Sequence, residues 1–151
     1  MAESDAWWDA NHDHIQWVFP TREPSDYNPD APILTVEDIN AIRNSYIRQE
    51  RLRLSFRRYL NFLGLEEHNQ LVQVGPNFEA RKWVWRNFNH NWLRITRMIT
   101  SLRLCGLEPE AKAFYECICK MRQDGTVKEG TFQISENSFK YWEAAMKFPV
   151  E

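Results

Sequence analysis

Apolar residues recur three and four positions apart along much of the chain, and the clearest case is the stretch 89–107. This spacing predicts an amphipathic helix with one apolar face. The members of that face are Trp92, Ile95, Met98, Ile99 and Leu102. Asn89 or Asn91 can cap the start of the helix, and Gly106 suits a left-handed residue just past its end. We expect the rest of the chain to pack around this helix.

The same period predicts further helices, separated by proline-rich or polar segments. The segments are 4–19, 35–64, 78–88, 110–123 and 135–148. A single helix over 35–64 would be about 40 Å long, which is long for a small domain. Asn44-Ser45 has the weakest helix propensity in it, so we expect a break there. Segment 71–74 is a candidate for extended structure. The pattern as a whole predicts an all-α fold, a compact single-domain bundle of about six helices over residues 1–151.

Composition narrows the class of protein. A hydrophobic fraction of 43% with seven tryptophans indicates a packed globule. No apolar run approaches the roughly 20 residues that a membrane span needs. The first residues carry acids where a signal peptide carries positive charge. The three cysteines are an odd number and unevenly spaced, which suits a reducing compartment. We therefore expect a soluble, intracellular, cytoplasmic protein, or a nuclear or perinuclear one if the source is eukaryotic.

Charge is distributed unevenly although the net charge is only −2. Residues 1–38 carry a net charge of −8, residues 39–105 carry +8, and residues 106–151 carry −2. One interpretation is a basic surface for a polyanion such as nucleic acid. The other, which we favour, is that the acidic N-terminal part folds against the basic middle, because basic clusters on helices are usually solvated or internally paired.

Several kinds of catalytic and metal site are not indicated by the sequence. In His12-Asp13-His14 the two histidines would point to opposite sides of a helix, and no paired cysteine or histidine spacing typical of zinc occurs. No glycine-rich phosphate loop is present. Cys105 has no base near it in sequence, so a small buried thiol is the better interpretation. We predict no metal, no cofactor and no catalytic residue.

One polar cluster remains as a candidate site, at the start of the 89–107 helix. Backbone N–H groups at a helix start and an arginine pair together attract a carboxylate or phosphate. If the first helix packs across this point, two of its polar residues join the site. The predicted ligand-binding residues are His12, Gln16, His90, Asn91, Arg94 and Arg97. The alternative, which we favour two to one, is that the histidine and asparagines only cap the helix and the arginines pair with acids of 3–13.

The three tryptophans around this cluster also allow two interpretations. Trp83, Trp85 and Trp92 either belong to the core, which is the more common role, or form a stacking platform for bases.

At several of these residues the chain resembles the opioid growth factor receptor family, in its N-terminal conserved region. The resemblance is carried by the strings at 12–20, 31–35, 61–65 and 89–97, of which Ile-Gln-Trp-Val-Phe-Pro and Leu-Arg-Ile-Thr-Arg are the most specific. His14 stands where the family often has tyrosine, and the match weakens from about residue 125. The resemblance implies a receptor-like role towards an enkephalin peptide and an association with the nucleus. It implies no catalytic residue. Because the long tail of the animal proteins is missing, we expect a free-standing version of the domain.

Three functions follow as hypotheses. The first is a non-enzymatic, receptor-like binding domain for a peptide, a protein partner or a small anionic ligand, in which arginines hold a terminal carboxylate. The second is an enzyme acting on a phosphate- or nucleotide-bearing small molecule, with His12 or His90 as acid–base. The third is nucleic-acid binding by the basic region 39–105. A purely structural protein is a further alternative. We favour the first.

Overall fold

The structure is a computed structural model that describes residues 14–24, 29–85, 91–126 and 136–150. The helices are α1 (His14–Val18), α2 (Val36–Arg43), α3 (Tyr46–Phe62), α4 (Phe78–Arg81), α5 (Asn91–Leu104), α6 (Glu108–Gln123) and α7 (Glu136–Lys147), with a 3-10 turn at Lys82–Trp85. The strands are β1 (Leu65–His68) and β2 (Leu71–Val74). The predicted helix over 4–19 is described only from residue 14, and most of the 126–134 connection lies outside the described residues.

The helices pack around a single apolar core. Helix α5 contacts both α6 and α7, and these two helices also contact each other, while α2 packs against α3. The apolar face predicted for α5 is confirmed, because Ile95, Met98, Ile99 and Leu102 are all fully buried. The predicted end of this helix is confirmed as well, since Gly106 adopts a φ of 86°.

The fold is mostly helical, as predicted, but the all-α class is wrong in one respect. Strands β1 and β2 form a two-stranded antiparallel hairpin in which Leu65 pairs with Val74 and His68 with Leu71. Asn69 and Gln70 make its turn with positive φ angles of 51° and 66°. Two positive φ angles match the twist of a tight hairpin, although glutamine is an uncommon residue there. The hairpin is held from both sides, by α3 against β1 and by α6 against β2.

The predicted break at Asn44-Ser45 is confirmed. Helix α2 ends at Arg43, and the Ser45 side chain accepts a hydrogen bond from the backbone N–H of Arg48 at the start of α3. The start of α2 has a reciprocal capping box between Thr35 and Asp38. Each of these short polar side chains satisfies a backbone group that a helix end leaves without an intrahelical partner.

Of the three tryptophans around the predicted site, Trp83 and Trp85 have described side chains, and both pack against residues of the same chain. Trp85 is fully buried and its Nε1 donates to the carbonyl of Leu63 at 2.9 Å. Trp83 lies against the guanidinium of Arg81, which stands 4.6 Å from the ring centroids of both Trp83 and Phe62. The core interpretation is therefore right for Trp85, and the face of Trp83 is occupied by an arginine of the same chain. The side chain of Trp92 lies outside the described residues.

Within the residues described, no helix combines the length and the apolar character needed to cross a bilayer.

Candidate functional site

The structure places the predicted site residues in different situations. His12 and His90 lie outside the described residues. Gln16 and Asn91 lie on α1 and α5, but their side chains are not among those described. The remaining two, Arg94 and Arg97, are one turn apart on α5, and their surroundings differ.

Arg94 is an interior residue, with only 4% of its surface exposed, and Arg97 is partly buried. Of the pair, Arg97 lines a cavity and Arg94 does not. Of the two arginines, only Arg97 therefore lines this cavity, and both stay predictions as ligand contacts. Leu93, an apolar residue next to them, is instead 61% exposed.

The cavity has a volume of about 610 Å³ and a mostly apolar lining. Three segments that are distant in sequence form its walls: residues 21–23, one face of α5, and the second half of α7. The lining residues are Thr21, Arg22 and Glu23; Leu93, Thr96, Arg97, Thr100 and Leu104; and Tyr141, Ala144, Ala145 and Phe148. A volume of this size is typical of sites for small ligands or for a few residues of a peptide.

The α5 wall follows from the helical period. Its lining residues Leu93, Thr96, Arg97, Thr100 and Leu104 are three, one, three and four positions apart, which puts them on one face. That face of α5 borders the fully buried face of the same helix, so the α5 wall of the cavity lies next to the core. The hydroxyl of Thr100 donates to the carbonyl of Thr96 at 3.0 Å.

The α7 wall is held by Arg103, a residue that sequence reasoning did not single out. Its Nε donates to the carboxylate of Glu108 at 2.8 Å, and its Nη1 donates to the carbonyls of Ala145 and Phe148, each at 2.6 Å. Arg103 itself is buried. It therefore satisfies carbonyls at the end of α7 and positions two of the lining residues. No local signal distinguishes it from the other arginines of the chain.

The third wall is an extended segment fixed by backbone contacts. Thr21 forms a parallel bridge with Ile33, and the N–H of Leu34 donates to the carbonyl of Thr21 at 2.8 Å. Thr21 is buried, whereas Arg22 and Glu23 are exposed at the rim. The rim thus carries one positive and one negative side chain.

Electrostatically, Arg97 is the distinctive group of the cavity. Burial lowers the pKa of its guanidinium, because the charged form loses hydration. An arginine remains protonated at neutral pH all the same. A partly desolvated cation beside apolar walls gains more from an incoming anion than a fully hydrated one does, since less water shields the pair.

The basic residues of α3 are partly paired within the described residues. Arg53 bridges Glu110 at 2.9 Å, and Arg57 pairs with Glu67 at 3.3 Å. Arg43 donates to the carbonyl of Leu104 at 2.8 Å, at the end of α5. The two carboxylates lie at residues 67 and 110, so these contacts do not test the expected packing of the acidic N-terminal part against the basic middle. The predicted partners in 3–13 lie outside the described residues.

The other chemical candidates are placed as follows. Cys105 is buried, as predicted, and burial raises its thiol pKa to about 11. All three cysteines are free thiols. In the parts of the chain described, no three His, Cys, Asp or Glu side chains converge in a way that would hold a metal ion. The His12-Asp13-His14 motif falls outside that search apart from residue 14.

The comparisons with known proteins agree with the motifs in the sequence. The family model described as the opioid growth factor receptor conserved region matches residues 4–150. The chain is 40% identical over 103 residues to the opioid growth factor receptor of Mus musculus, an alignment that covers 66% of this chain and 16% of the relative. Against the Homo sapiens opioid growth factor receptor the identity is 38% over 103 residues, which covers 65% and 15%.

A second group of relatives bears a different name. The opioid growth factor receptor-like protein 1 of Xenopus tropicalis is 35% identical over 100 residues, covering 65% of this chain and 19% of that protein. The alignments therefore span less than a fifth of the length of these three relatives. No solved structure gives a significant match.

Proposed function

Because the chain belongs to the opioid growth factor receptor family through its conserved region, we propose that it is a non-enzymatic binding domain for a peptide. The cavity between residues 21–23, α5 and α7 is its binding site, and Arg97 receives the terminal carboxylate of the ligand. One observation carries the proposal: a partly buried guanidinium lies within a mostly apolar cavity of about 610 Å³.

The apolar walls of the cavity suit the side chains at the end of a peptide, and the guanidinium suits its terminal carboxylate. The apolar walls remove one or two large side chains from water, which supplies most of the affinity. The guanidinium supplies orientation, because it can accept a carboxylate through two parallel N–H···O bonds. Leu93, Tyr141 and Phe148 are each more than 60% exposed and extend the apolar surface at the cavity.

The name of the relatives supports a peptide rather than another anion, since those proteins are named as receptors for an opioid growth factor. The histidines of the earlier hypothesis, His12 and His90, and the polar side chains of Gln16 and Asn91 stay predictions as ligand contacts. Arg94 is buried and does not line the cavity, so its role as a ligand contact also stays a prediction.

The test uses the parent protein and an enkephalin-like pentapeptide in two forms, with a free C-terminal carboxylate and with a C-terminal amide. Calorimetric titration should show the acid form binding at least about tenfold more tightly, as expected for loss of one charge-assisted contact. Arg97→Gln should reduce affinity for the acid form by a similar factor and should hardly change affinity for the amide. Equal binding of both forms by the parent protein would reject the role of Arg97.

A matched control removes a positive charge elsewhere. Arg58→Gln changes an exposed arginine of α3 that does not line this cavity, so affinity for the acid form should stay within about twofold of the parent value. Circular dichroism melting of each variant establishes that it is folded at the titration temperature. Loss of binding in Arg58→Gln as well would indicate a general charge effect instead of a site.

A further inference from the structure

A second cavity, of about 580 Å³, shares no lining residue with the one assigned to the peptide carboxylate. One wall comes from α1 and the extended residues 32–34, and the other from α2 and α3. Trp17 and Ile33 contribute large apolar surfaces, of which 55% and 47% are exposed. Exposed tryptophan beside exposed isoleucine is apolar surface that an occupant would cover.

This groove has more positive than negative side chains, and its carboxylate already accepts a hydrogen bond within the chain. Arg48 and Arg51, both exposed, line it from α3, and Asp38 lines it from α2. The Asp38 carboxylate already accepts the backbone N–H of Thr35 at 2.9 Å in the capping box. Hydrogen bonds from Thr35 chiefly hold the pKa of that carboxyl below its ordinary value, with a small contribution from Arg48. The groove therefore carries an excess of positive charge.

Four arginines of α3 differ in their pairing within the described residues. Arg53 and Arg57 have carboxylates of the same chain within salt-bridge distance, at Glu110 and Glu67. Arg48 and Arg51 have none among the described residues, and they stand one helical turn apart on the groove side. Within the described residues, Arg48 and Arg51 thus combine a place at the groove with the absence of a carboxylate at salt-bridge distance.

We propose that this groove binds an acidic segment of a partner protein. One bulky apolar side chain of that segment packs between Trp17 and Ile33, and carboxylates flanking it meet Arg48 and Arg51. The assignment goes beyond the proposed function, because it concerns other residues, other chemistry and no terminal carboxylate.

The apolar walls and the small number of charged side chains in this groove favour a peptide as the ligand over a nucleic acid. Affinity for nucleic acid comes from a row of cations along the phosphate backbone. This groove offers two arginines beside one carboxylate, together with Trp17, Pro20 and Pro32 on its apolar wall. An acidic segment with one apolar anchor matches both parts, since the anchor fills the apolar wall and the carboxylates match the arginines.

The experiment follows a fluorescein-labelled decapeptide, acetylated and amidated, with one central phenylalanine flanked by aspartates and glutamates. Fluorescence anisotropy with the full chain should show saturable binding. The double variant Arg48→Gln/Arg51→Gln should weaken binding at least about tenfold, and Trp17→Ala should do likewise. Arg58→Gln, an exposed arginine of the same helix outside the groove, should stay within about twofold of the parent.

Two further ligands, a neutral peptide and an oligonucleotide, test whether the groove is specific for an acidic peptide. A decapeptide with asparagine and glutamine in place of its acids should bind at least about tenfold more weakly than the acidic one. A single-stranded oligonucleotide of equal net charge should displace the acidic peptide only poorly. The proposal is overturned if the full chain does not bind the acidic peptide, if the neutral peptide binds equally, if Arg58→Gln loses as much affinity as the double variant, or if the oligonucleotide competes better.

The two sites are tested independently. Arg97→Gln should leave binding of the capped acidic peptide unchanged, since the probe has no free carboxylate terminus and the residue lies in the other cavity. The Arg48→Gln/Arg51→Gln variant should still bind the enkephalin-like acid. Because all the substituted groove residues are exposed, we expect the variants to melt close to the temperature of the parent protein. Such melting temperatures establish that the variants are folded.

Discussion

Gly64 and Gly106 both adopt left-handed backbone conformations, with φ of 79° and 86°, yet their surroundings differ. A Cβ at Gly64 would lie 2.9 Å from the Cα of Phe78, which is backbone. A Cβ at Gly106 would lie 3.0 Å from Nε2 of Gln49, the end of a flexible side chain. The first clash requires main-chain movement and the second requires only a change of rotamer.

We expect Gly64→Ala to lower the free energy of unfolding by about 3 kcal/mol and Gly106→Ala by about 1 kcal/mol. Both substitutions place an alanine at a positive φ angle, which destabilises the folded state, but only Gly64→Ala also displaces the start of α4. Urea unfolding followed by circular dichroism measures both values. Equal losses would mean that contact with Phe78 relaxes freely.

For single residues, the sequence predicted backbone conformation and burial better than it predicted which distant residues a side chain contacts. The left-handed residue at Gly106 and the buried thiol of Cys105 were both foreseen from local pattern. Arg94 and Arg97 were assigned the same side of α5, although one is an interior residue and the other lines a cavity. Helical spacing gives the direction of a side chain, and what it meets in that direction depends on residues far away in sequence.

Among the helices, α7 depends on a single buried arginine for the attachment of its end. Arg103 of α5 donates to two carbonyls of the α7 terminus and to Glu108 at the start of α6, so one guanidinium joins three helices. The same residue keeps α7 in place as a wall of the Arg97 cavity. Structural stability and site geometry are therefore coupled at Arg103.

Arg103→Met should destabilise the protein by about 2–4 kcal/mol, because it removes the donor to the buried carbonyl of Ala145 and the partly buried carbonyl of Phe148, and it removes the pair with Glu108. Lys147→Met serves as control, since it removes an exposed pair with Glu143 on the same helix and should cost less than about 1 kcal/mol. Chemical denaturation of the two variants gives the comparison. A loss below that of Lys147→Met would show that Arg103 does not hold α7.

The break between α2 and α3 was predictable, and the hairpin was predicted only in part. Within the described residues, the predicted helix over 78–88 is instead the four-residue α4, followed by the 3-10 turn at Lys82–Trp85. The break at Asn44-Ser45 follows from weak helix propensity and a capping serine, which are local properties. Segment 71–74 was a candidate for extended structure, but its pairing with Leu65–His68 was not foreseen. The turn at Asn69-Gln70 lacks the glycine that normally signals such a hairpin, so the contacts with α3 and α6 must help to stabilise it.

Across the molecule, burial controls the chemistry of the thiols. Burial raises the pKa of Cys105 and of Cys117 from an ordinary value of 9.0 to about 11. Burial also raises the pKa of Cys119, which is only partly buried. A folded-state pKa above the unfolded one contributes stability that is fully present below pH 9 and is lost as the pH rises through 11.

Ellman's reagent at pH 8 should therefore react with Cys119 in the native protein, while Cys105 and Cys117 react only when the whole chain unfolds. The thiolate fraction of a group with a pKa of about 11 is on the order of 0.1% at pH 8. Urea midpoints measured from pH 8 to pH 11 should fall as the pH rises. Fast native-state reaction of all three thiols would contradict the single buried core.

By itself the sequence determined the order of the helices, the break between α2 and α3, the buried face of α5 and the membership of the family. These features depend on spacing, capping and motif strings within contiguous residues. Only the tertiary structure decided that Arg94 is interior, that Arg97 lines a cavity and that Arg103 attaches α7. The cavity walls come from segments about 70 and 120 residues apart, and contacts over such separations follow from how the faces pack, which no local pattern specifies.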